Sequence, residues 1–193
     1  MNILLLSPQP FYQERGTPIA VNLVLKVLGE RGDQVDVLTY HEGKEVRHEH
    51  VTLHRILKIP FVRGIRPGFS WKKVVCDFFM FFKAIRLVSA KRYDLVHAVE
   101  ESVFIALALK YLFKVPYLYD MDSSLAQQLT EKYLFLKPFA AVFILFERLA
   151  VKNAKAVSPV CDALAQIVQE YKPAKIVVLP DVSLLMISEI REG

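Results

Sequence analysis

Short apolar runs alternate with longer helical patterns along the whole chain of 193 residues, and this alternation limits how the chain can fold more than any other feature. The runs predicted as strands are residues 2–6, 34–39, 51–56, 94–98, 115–120, 154–158 and 175–180. The segments predicted as helices are residues 19–31, 71–89, 102–113, 140–152 and 159–171. Strands that are apolar throughout indicate a parallel sheet covered by helices on both faces. We therefore expect an α/β fold, a single doubly wound, mostly parallel Rossmann-like sheet.

The last predicted helix is preceded by residues that are typical of a helix N-terminus. Ser158 fits the N-cap position, and Pro159 fits the first helical position, where a missing N–H costs nothing. We expect the helix to begin there.

In a doubly wound sheet, ligands bind beyond the carboxyl ends of the strands, where the strand order reverses. With Rossmann order, that crevice lies between the first and fourth strands. The loops that follow the first, fourth and fifth strands are residues 7–18, 97–102 and 119–124. We expect these three loops to border one crevice.

Gly16 is the only glycine of the first loop, and it directly precedes the predicted helix. A glycine there lets a ligand approach the backbone, and free N–H groups at a helix start attract an anion. The alternative is a plain turn glycine. Arg15 beside it either holds a phosphate or is solvated.

Histidine and carboxylate side chains at the end of the fourth strand can orient hydroxyl groups or move protons. These are His97, Glu100 and Glu101. A single histidine such as His97 is also commonly a hydrogen-bonded core residue.

The fifth strand is followed by four polar residues, Asp120, Asp122, Ser123 and Ser124. Each of them could contact a substrate, but Asp122 or Ser123 could equally cap the next helix. The case for a site rests on the three loops bordering one crevice.

Several motifs that identify common enzyme classes are absent from the sequence. It contains no GxGxxG dinucleotide fingerprint, no GxxxxGK[ST] phosphate loop, no GxSxG elbow and no HExxH. These absences argue against a nicotinamide-dependent enzyme and an ordinary NTPase. Without an RNP, KH or helix-turn-helix signal, we expect no nucleic-acid partner.

Four of the five histidines, His41, His48, His50 and His54, lie close together in the sequence. The last three would share one face of a strand, which is a metal-binding pattern. The charged residues between them favour an exposed hairpin edge instead, and we expect no metal site.

The positive charge of the chain is concentrated in one segment. The formal net charge is +5, and residues 63–92 hold eight cations, many aromatic residues and one acid, Asp77. Such a mixture is typical of a surface that binds an anionic membrane, and a solvated basic face is the alternative.

Cys76 and Cys161 have neither zinc nor CxxC spacing, which favours reduced thiols. We expect a cytoplasmic protein, peripheral on the inner face of the membrane.

At the predicted loops the sequence resembles family-4 glycosyltransferases of the GT-B fold. "SPQPFYQERGTPIAVNLVLKVLGERGDQVDVLT" is similar to their opening, where a loop with proline and glycine leads into a helix that ends in "ERGHEV"-like residues. "YDLVHAVEES" resembles their "DVIHAH" strand, and "YDMDSSLAQQL" resembles their acceptor-side loop. "AKAVSPVCDAL" and "KIVVLPDVSLL" resemble the last strand, helix and strand before the domain linker. The resemblance extends over essentially the whole chain.

The resemblance implies roles for particular residues. Gly16 would pack against the donor diphosphate, with Arg15 and Thr17 beside it. Asp120 or Asp122 would orient or deprotonate the acceptor hydroxyl. The residues implied to line the acceptor pocket are His97, Glu100, Glu101, Asp120, Asp122 and Ser123.

The implied activity is transfer of a sugar from a UDP- or GDP-linked donor to a lipid-linked or saccharide acceptor. The family retains the anomeric configuration and uses the nucleotide-sugar as co-substrate, usually without a metal. The residues leave an alternative open, a non-catalytic Rossmann-like module that binds a partner protein or an anionic membrane surface.

The sequence also departs from the family pattern. Val99 replaces the second histidine of "HAH", and "LPDV" with Asp181 replaces the "NGVD" of the linker. We expect residues 1–180 to form the acceptor-side domain and residues 181–193 to begin an interdomain linker or tail. The family's donor-binding domain is not in this sequence, so we expect the chain to be inactive alone and to work with a second donor domain.

Overall fold

Six parallel strands form one sheet in the order β3-β2-β1-β4-β5-β6 in this computed structural model, which describes residues 1–13, 16–65, 70–124 and 138–180. The strands are β1 Asn2–Ser7, β2 Gln34–Thr39, β3 Val51–Arg55, β4 Leu95–Val99, β5 Tyr117–Met121 and β6 Ala156–Pro159. The helices are α1 Gly16–Glu30, α2 Trp71–Ala90, α3 Val103–Phe113, α4 Ala140–Asn153 and α5 Asp162–Glu170, and a 3-10 turn, η1, covers Glu100–Ser102. The predicted Rossmann-like fold is confirmed.

The sheet is covered on both faces, because successive strand residues point to opposite sides. Ile3 and Leu5 of β1 pack in a smaller core with α1. Leu4 and Leu6, which point the other way, belong to a larger core formed with α2, α3, α4 and α5. β1 lies in the middle of the sheet and pairs with β2 on one side and β4 on the other. The crevice at which strand order reverses therefore opens beyond the carboxyl end of β1.

The loop after β1 is held by a second loop, residues 40–44, which follows β2. Phe11 donates its backbone N–H to the Glu42 carbonyl at 3.1 Å, and Tyr12 and Lys44 exchange two backbone hydrogen bonds of 2.9 and 3.0 Å. Arg55, at the end of β3, donates to the carbonyls of Glu42 at 2.7 Å and Lys44 at 2.9 Å. These contacts fix the segment that leads to the start of α1.

The predicted start of the last helix is wrong. Ser158 and Pro159 belong to β6, where they pair with Asp120 and Met121 of β5. α5 begins at Asp162, and its N-cap residue Cys161 makes no side-chain capping bond. The pairing with β5 keeps the Ser-Pro pair extended, which a capping pattern read from sequence does not take into account.

The strand predicted at residues 175–180 is reduced to one isolated bridge between Val157 and Ile176. The segment still runs beside β6, because Val177 donates to the Val157 carbonyl and Leu179 to the Pro159 carbonyl, each at 3.0 Å. Among the helices of the described ranges, none is both long enough and apolar enough to cross a bilayer.

Candidate active site

Three chain segments meet at the hydroxyl of Thr17, in the first turn of α1. Its Oγ1 lies 2.8 Å from Oδ2 of Asp122, which follows β5, and 3.2 Å from Oε1 of Glu100, which opens η1 after β4. One hydroxyl proton can serve only one of these carboxylates at a time. The predicted convergence of the three loops is therefore present in the fold.

A histidine–carboxylate pair lies on the sheet beside this junction. His97 Nε2 of β4 is 3.1 Å from Oδ2 of Asp120 of β5, and the two side chains are 12% and 19% exposed. Val96 and Ala98 point into the larger core, so His97 between them points to the face that carries α1. The pair is partly open to that side of the molecule.

A cavity of about 310 Å³ lies between α1 and the carboxyl ends of the strands. Thr17, Asp120 and Asp122 supply its polar groups. Its remaining walls are apolar side chains, namely Ala20, Val21, Leu23, Val24, Val27 and Leu28 of α1 with Val160, Leu179 and Pro180. The cavity therefore suits a molecule with hydroxyl groups at one end and nonpolar surface along its length.

A buried lysine of α2 forms ion pairs with the two glutamates of η1. Lys73 is 7% exposed, and its Nζ forms an ion pair with Oε1 of Glu101 and lies 3.6 Å from Oε2 of Glu100. Burial lowers the pKa of Lys73, but the neighbouring Glu101 and Glu100 outweigh that effect and leave the pKa raised. Lys73 is therefore charged and helps to hold both glutamates in place.

One turn further along α2, Asp77 accepts a hydrogen bond of 2.5 Å from the Tyr40 hydroxyl. Burial raises the pKa of both Asp77 and Glu101, although Lys73 acts in the opposite direction on each. Burial and the charge of Asp77 also raise the pKa of Tyr40 far above its ordinary value, so the phenol remains a donor.

Carboxylates outnumber cations in this part of the described structure. Those at the Thr17 junction and in the neighbouring pair are Glu100, Asp120 and Asp122. Asp77 and Glu101, whose pKa values are raised by burial, lie next to Lys73. Carboxylates accept hydrogen bonds from hydroxyl groups but repel phosphate. The arrangement therefore favours a polyhydroxylated ligand over an anionic one.

Gly16, the predicted donor contact, is the first residue of α1. Its φ is not positive, and no described atom beyond its chain neighbours and the backbone of α1 lies within 4 Å of the position that a Cβ would occupy. Ser123 is half-buried beside Asp122. Arg15 and Asp181 lie outside the described residues.

Sequence reasoning did not identify Tyr40, Lys73 or Asp77 as part of this network. The signal that could have revealed two of them is their spacing, since Lys73 and Asp77 are four residues apart and share the apolar face of α2 with Cys76 and Met80. A lysine and an aspartate on such a face need partners.

The four clustered histidines have separate partners. His48 contacts Asn22 at 2.8 Å, His50 contacts Gln34 at 3.0 Å, His54 contacts Asp36 at 2.9 Å and His41 contacts the Val62 carbonyl at 2.9 Å. Within the described ranges, no three His, Cys, Asp or Glu side chains are placed to share a metal ion.

A sequence model of Glycosyltransferase Family 4 matches residues 16–181. The chain belongs to glycosyltransferase family 4. The predicted family is confirmed, and the matched region includes the Thr17 junction, the His97–Asp120 pair and Lys73. No protein of curated function matches the sequence.

Solved structures share the fold of this family-4 chain. Sucrose-phosphate synthase from Thermosynechococcus elongatus is 19% identical, with a TM-score of 0.68 over 96% of this chain and 49% of its own. A second structure of that synthase is 14% identical, with a TM-score of 0.67 over 100% of this chain and 96% of its own. A ugt transferase from Siraitia grosvenorii, in complex with UDP, is 13% identical, with a TM-score of 0.59 over 100% of this chain and 54% of its own. The family-4 chain thus spans about half the length of the first and third of these proteins.

Proposed function

We propose that this chain is the acceptor-binding domain of a retaining glycosyltransferase, which transfers a sugar from a UDP- or GDP-linked donor to a lipid-linked or saccharide acceptor. Membership of glycosyltransferase family 4 supports the reaction class. The observation that carries the assignment of the acceptor site is the contact of Thr17 with Glu100 and Asp122, next to the His97–Asp120 pair.

The carboxylates of this junction suit an acceptor that is rich in hydroxyl groups. Each ionised carboxylate accepts hydrogen bonds from several directions and fixes the hydroxyls that donate them. The apolar side of α1, with Leu23, Val24 and Val27 along the cavity, offers surface for the nonpolar part of the acceptor. A saccharide attached to a lipid has both properties.

In the proposed reaction the acceptor oxygen bonds to C1 of the sugar while the bond from C1 to the nucleotide diphosphate breaks. Asp120 or Asp122 accepts the hydrogen bond of the reacting hydroxyl, and orients it or takes its proton. His97 holds Asp120 through Nε2. Thr17 holds Asp122 or Glu100 and so keeps the acceptor carboxylates at a fixed distance from α1.

The donor would approach the first residue of α1. Among the described residues, no atom beyond the chain neighbours and the α1 backbone lies within 4 Å of a Cβ position at Gly16. A ligand could therefore approach closely there, and a helix of 15 residues presents a positive end to a diphosphate. Because carboxylates dominate the described part of the crevice, we expect Arg15 and a second, donor-binding domain to supply the remaining cations. The UDP complex of the structurally similar Siraitia grosvenorii transferase supports a nucleotide-linked donor.

Replacing each aspartate in the complete, active enzyme tests the site assignment. We expect Asp120→Asn or Asp122→Asn to lower turnover about 100-fold or more, since an amide neither takes a proton nor carries the charge. Glu30→Gln is the matched control, because Glu30 is an exposed carboxylate at the far end of α1. Full turnover in both aspartate variants would contradict the assignment.

A further inference from the structure

The solvent-facing side of α2 is apolar. Trp71, Val74, Phe78 and Phe82 are 61%, 50%, 60% and 53% exposed. Their spacing of three or four residues places them on one face, opposite the buried row of Lys73, Cys76, Met80, Ala84 and Val88. The rings of Phe78 and Phe82 contact each other at a centroid distance of 4.9 Å. A helix on the surface of a globular protein normally carries polar residues there.

The outer side of α4 departs from that rule in the same way. Val142, Leu145, Phe146 and Leu149 are exposed, whereas Glu147, Ala150 and Val151 point into the core. α2 and α4 are separate segments of the chain, so the same departure has arisen in two independent places.

The two apolar faces lie on the same side of the sheet. α3 contacts α2 on one side and α4 on the other, and all three helices pack on the larger core. The end of α3 adds the exposed side chains of Tyr111 and Leu112. The outer surface of α2, α3 and α4, called here the outer helical layer, therefore exposes apolar residues on each of its helices.

The charges of the outer helical layer are of one sign. The acids in the described residues of its three helices are Asp77, which bonds to Tyr40, and Glu147, which is buried. The exposed charged side chains on α2 and α4 are Arg86, Arg148 and Lys152. By contrast, α1 on the opposite face of the sheet exposes both Lys26 and Glu30.

We propose that the outer helical layer docks this chain on an anionic lipid bilayer. Aromatic and aliphatic side chains would enter the boundary between headgroups and acyl chains, and the cations would pair with lipid phosphates. Exposed cations without exposed acids match a negative membrane surface. The proposal does not depend on sugar transfer, so it stands or falls separately from the proposed function.

Flotation of the full chain with lipid vesicles tests the docking. Vesicles of phosphatidylcholine alone are compared with vesicles that also contain phosphatidylglycerol, each at low and high salt. Two double variants remove apolar side chains from the layer, Phe78→Ser with Phe82→Ser on α2 and Leu145→Ser with Leu149→Ser on α4. Leu57→Ser is their control, since Leu57 is 73% exposed, follows β3 and lies outside the layer and the cavity.

A second pair of variants tests the charge. Arg86→Glu changes one cation of the layer, and Lys26→Glu makes the same change on α1. All these side chains are exposed, so circular dichroism should show an unchanged fold for every variant.

We expect binding to phosphatidylglycerol vesicles that weakens with salt, because surface charges are screened. Each double variant should lower the partition coefficient about tenfold or more, and Arg86→Glu should lower it about tenfold. The two control variants, Leu57→Ser and Lys26→Glu, should bind as the unchanged chain does. Absence of binding to anionic vesicles would overturn the proposal, as would equal losses in the two control variants. Self-association that the layer variants abolish, in a chain that binds no vesicles, would assign the layer to a second copy instead.

Discussion

Gly43 shows how one residue fixes the loop that leads to the site. Its φ is +119°, a value that side chains rarely allow. A Cβ at this position would overlap the backbone oxygen, carbon and nitrogen of Phe11. Phe11 cannot move away easily, because its N–H is bonded to the Glu42 carbonyl at 3.1 Å. The loop after β1 and the loop after β2 can approach this closely only with glycine at position 43.

We therefore expect Gly43→Ala to lower the free energy of unfolding by about 3 kcal/mol, since it adds a backbone overlap to an unfavourable φ. Gly64→Ala is the matched control. Gly64 has φ of +63°, and no described atom beyond its chain neighbours lies within 4 Å of the place where its Cβ would be. We therefore expect only the conformational cost of about 1 kcal/mol. Urea unfolding of both variants measures the difference, and equal losses would contradict the overlap.

At this scale, the sequence predicts residues that lie at loop ends but not those that meet across the fold. Thr17, Glu100 and Asp122 are foreseeable, because the topological rule brings their loops to one edge of the sheet. Lys73 meets Glu101 only because α2 packs beside η1. That contact depends on the position of α2 along the sheet and on the rotation of α2 about its own axis. Neither the hydrophobic period nor the residue spacing of the sequence determines these two quantities.

At the scale of elements, the strands are the most predictable part of the chain. β1 to β5 form within two residues of the predicted runs, since continuous apolar strands have no other stable place than a covered parallel sheet. The late elements are less predictable. Pro159 resembles a helix start, yet a proline is also tolerated near the end of a strand at the sheet margin, and pairing with β5 decides between these alternatives.

Helix α1 begins at Gly16, three residues before its predicted start at residue 19. Pro18 falls in the first turn, where its missing N–H has no helical partner to lose. The earlier start places Thr17 within the helix and directs its hydroxyl at Glu100 and Asp122. The boundary of one helix thus decides whether the junction forms.

Replacing each of the two glycines of α1 by alanine should change the free energy of unfolding in opposite directions. A Cβ on Gly29 would overlap the carbonyl oxygen of Glu49, whereas a Cβ on Gly16 would meet no described atom within 4 Å beyond its chain neighbours and the backbone of α1. We expect Gly29→Ala to lower the free energy of unfolding by about 1–2 kcal/mol, despite the better helix propensity of alanine. Gly16→Ala should raise it slightly, by about 0.5 kcal/mol, because alanine restricts the unfolded chain more than glycine does. Denaturant unfolding curves measure both, and a gain in both variants would contradict the close approach of α1 to Glu49.

At the scale of the whole molecule, α2 joins two surfaces. Its outer face carries Trp71 and Phe78, which belong to the outer helical layer, and its inner face carries Lys73 and Asp77 beneath the carboxylates of the crevice. The proposed membrane surface and the proposed acceptor site therefore share one helix.

The ion pairs beneath the crevice predict a pH-dependent stability. Burial raises the folded-state pKa of Glu101 from its ordinary value of 4.5 to about 8. Protonated Glu101 therefore stabilises the folded state fully below pH 4.5, and this stabilisation is lost as pH rises through about 8. Lys73 counteracts this loss by stabilising the ionised form. Removing Lys73 raises the pKa of Glu101 and Asp77 further, and both carboxylates then oppose folding more strongly as pH rises.

We expect Lys73→Met to lower the free energy of unfolding by about 2 kcal/mol near pH 8, and by clearly less near pH 5. Lys91→Met is the matched control. Burial raises the pKa of Asp36, the partner of Lys91, but hydrogen bonds from Lys91, His54 and Tyr93 lower it below 3.8 overall. The stability that ionised Asp36 contributes is lost only as pH falls below 3.8, which is lower than both pH values compared. The loss of stability caused by Lys91→Met should therefore be similar near pH 5 and near pH 8. Urea midpoints at both pH values measure the contrast, and a loss for Lys73→Met that does not change with pH would show that Glu101 and Asp77 do not titrate against the lysine.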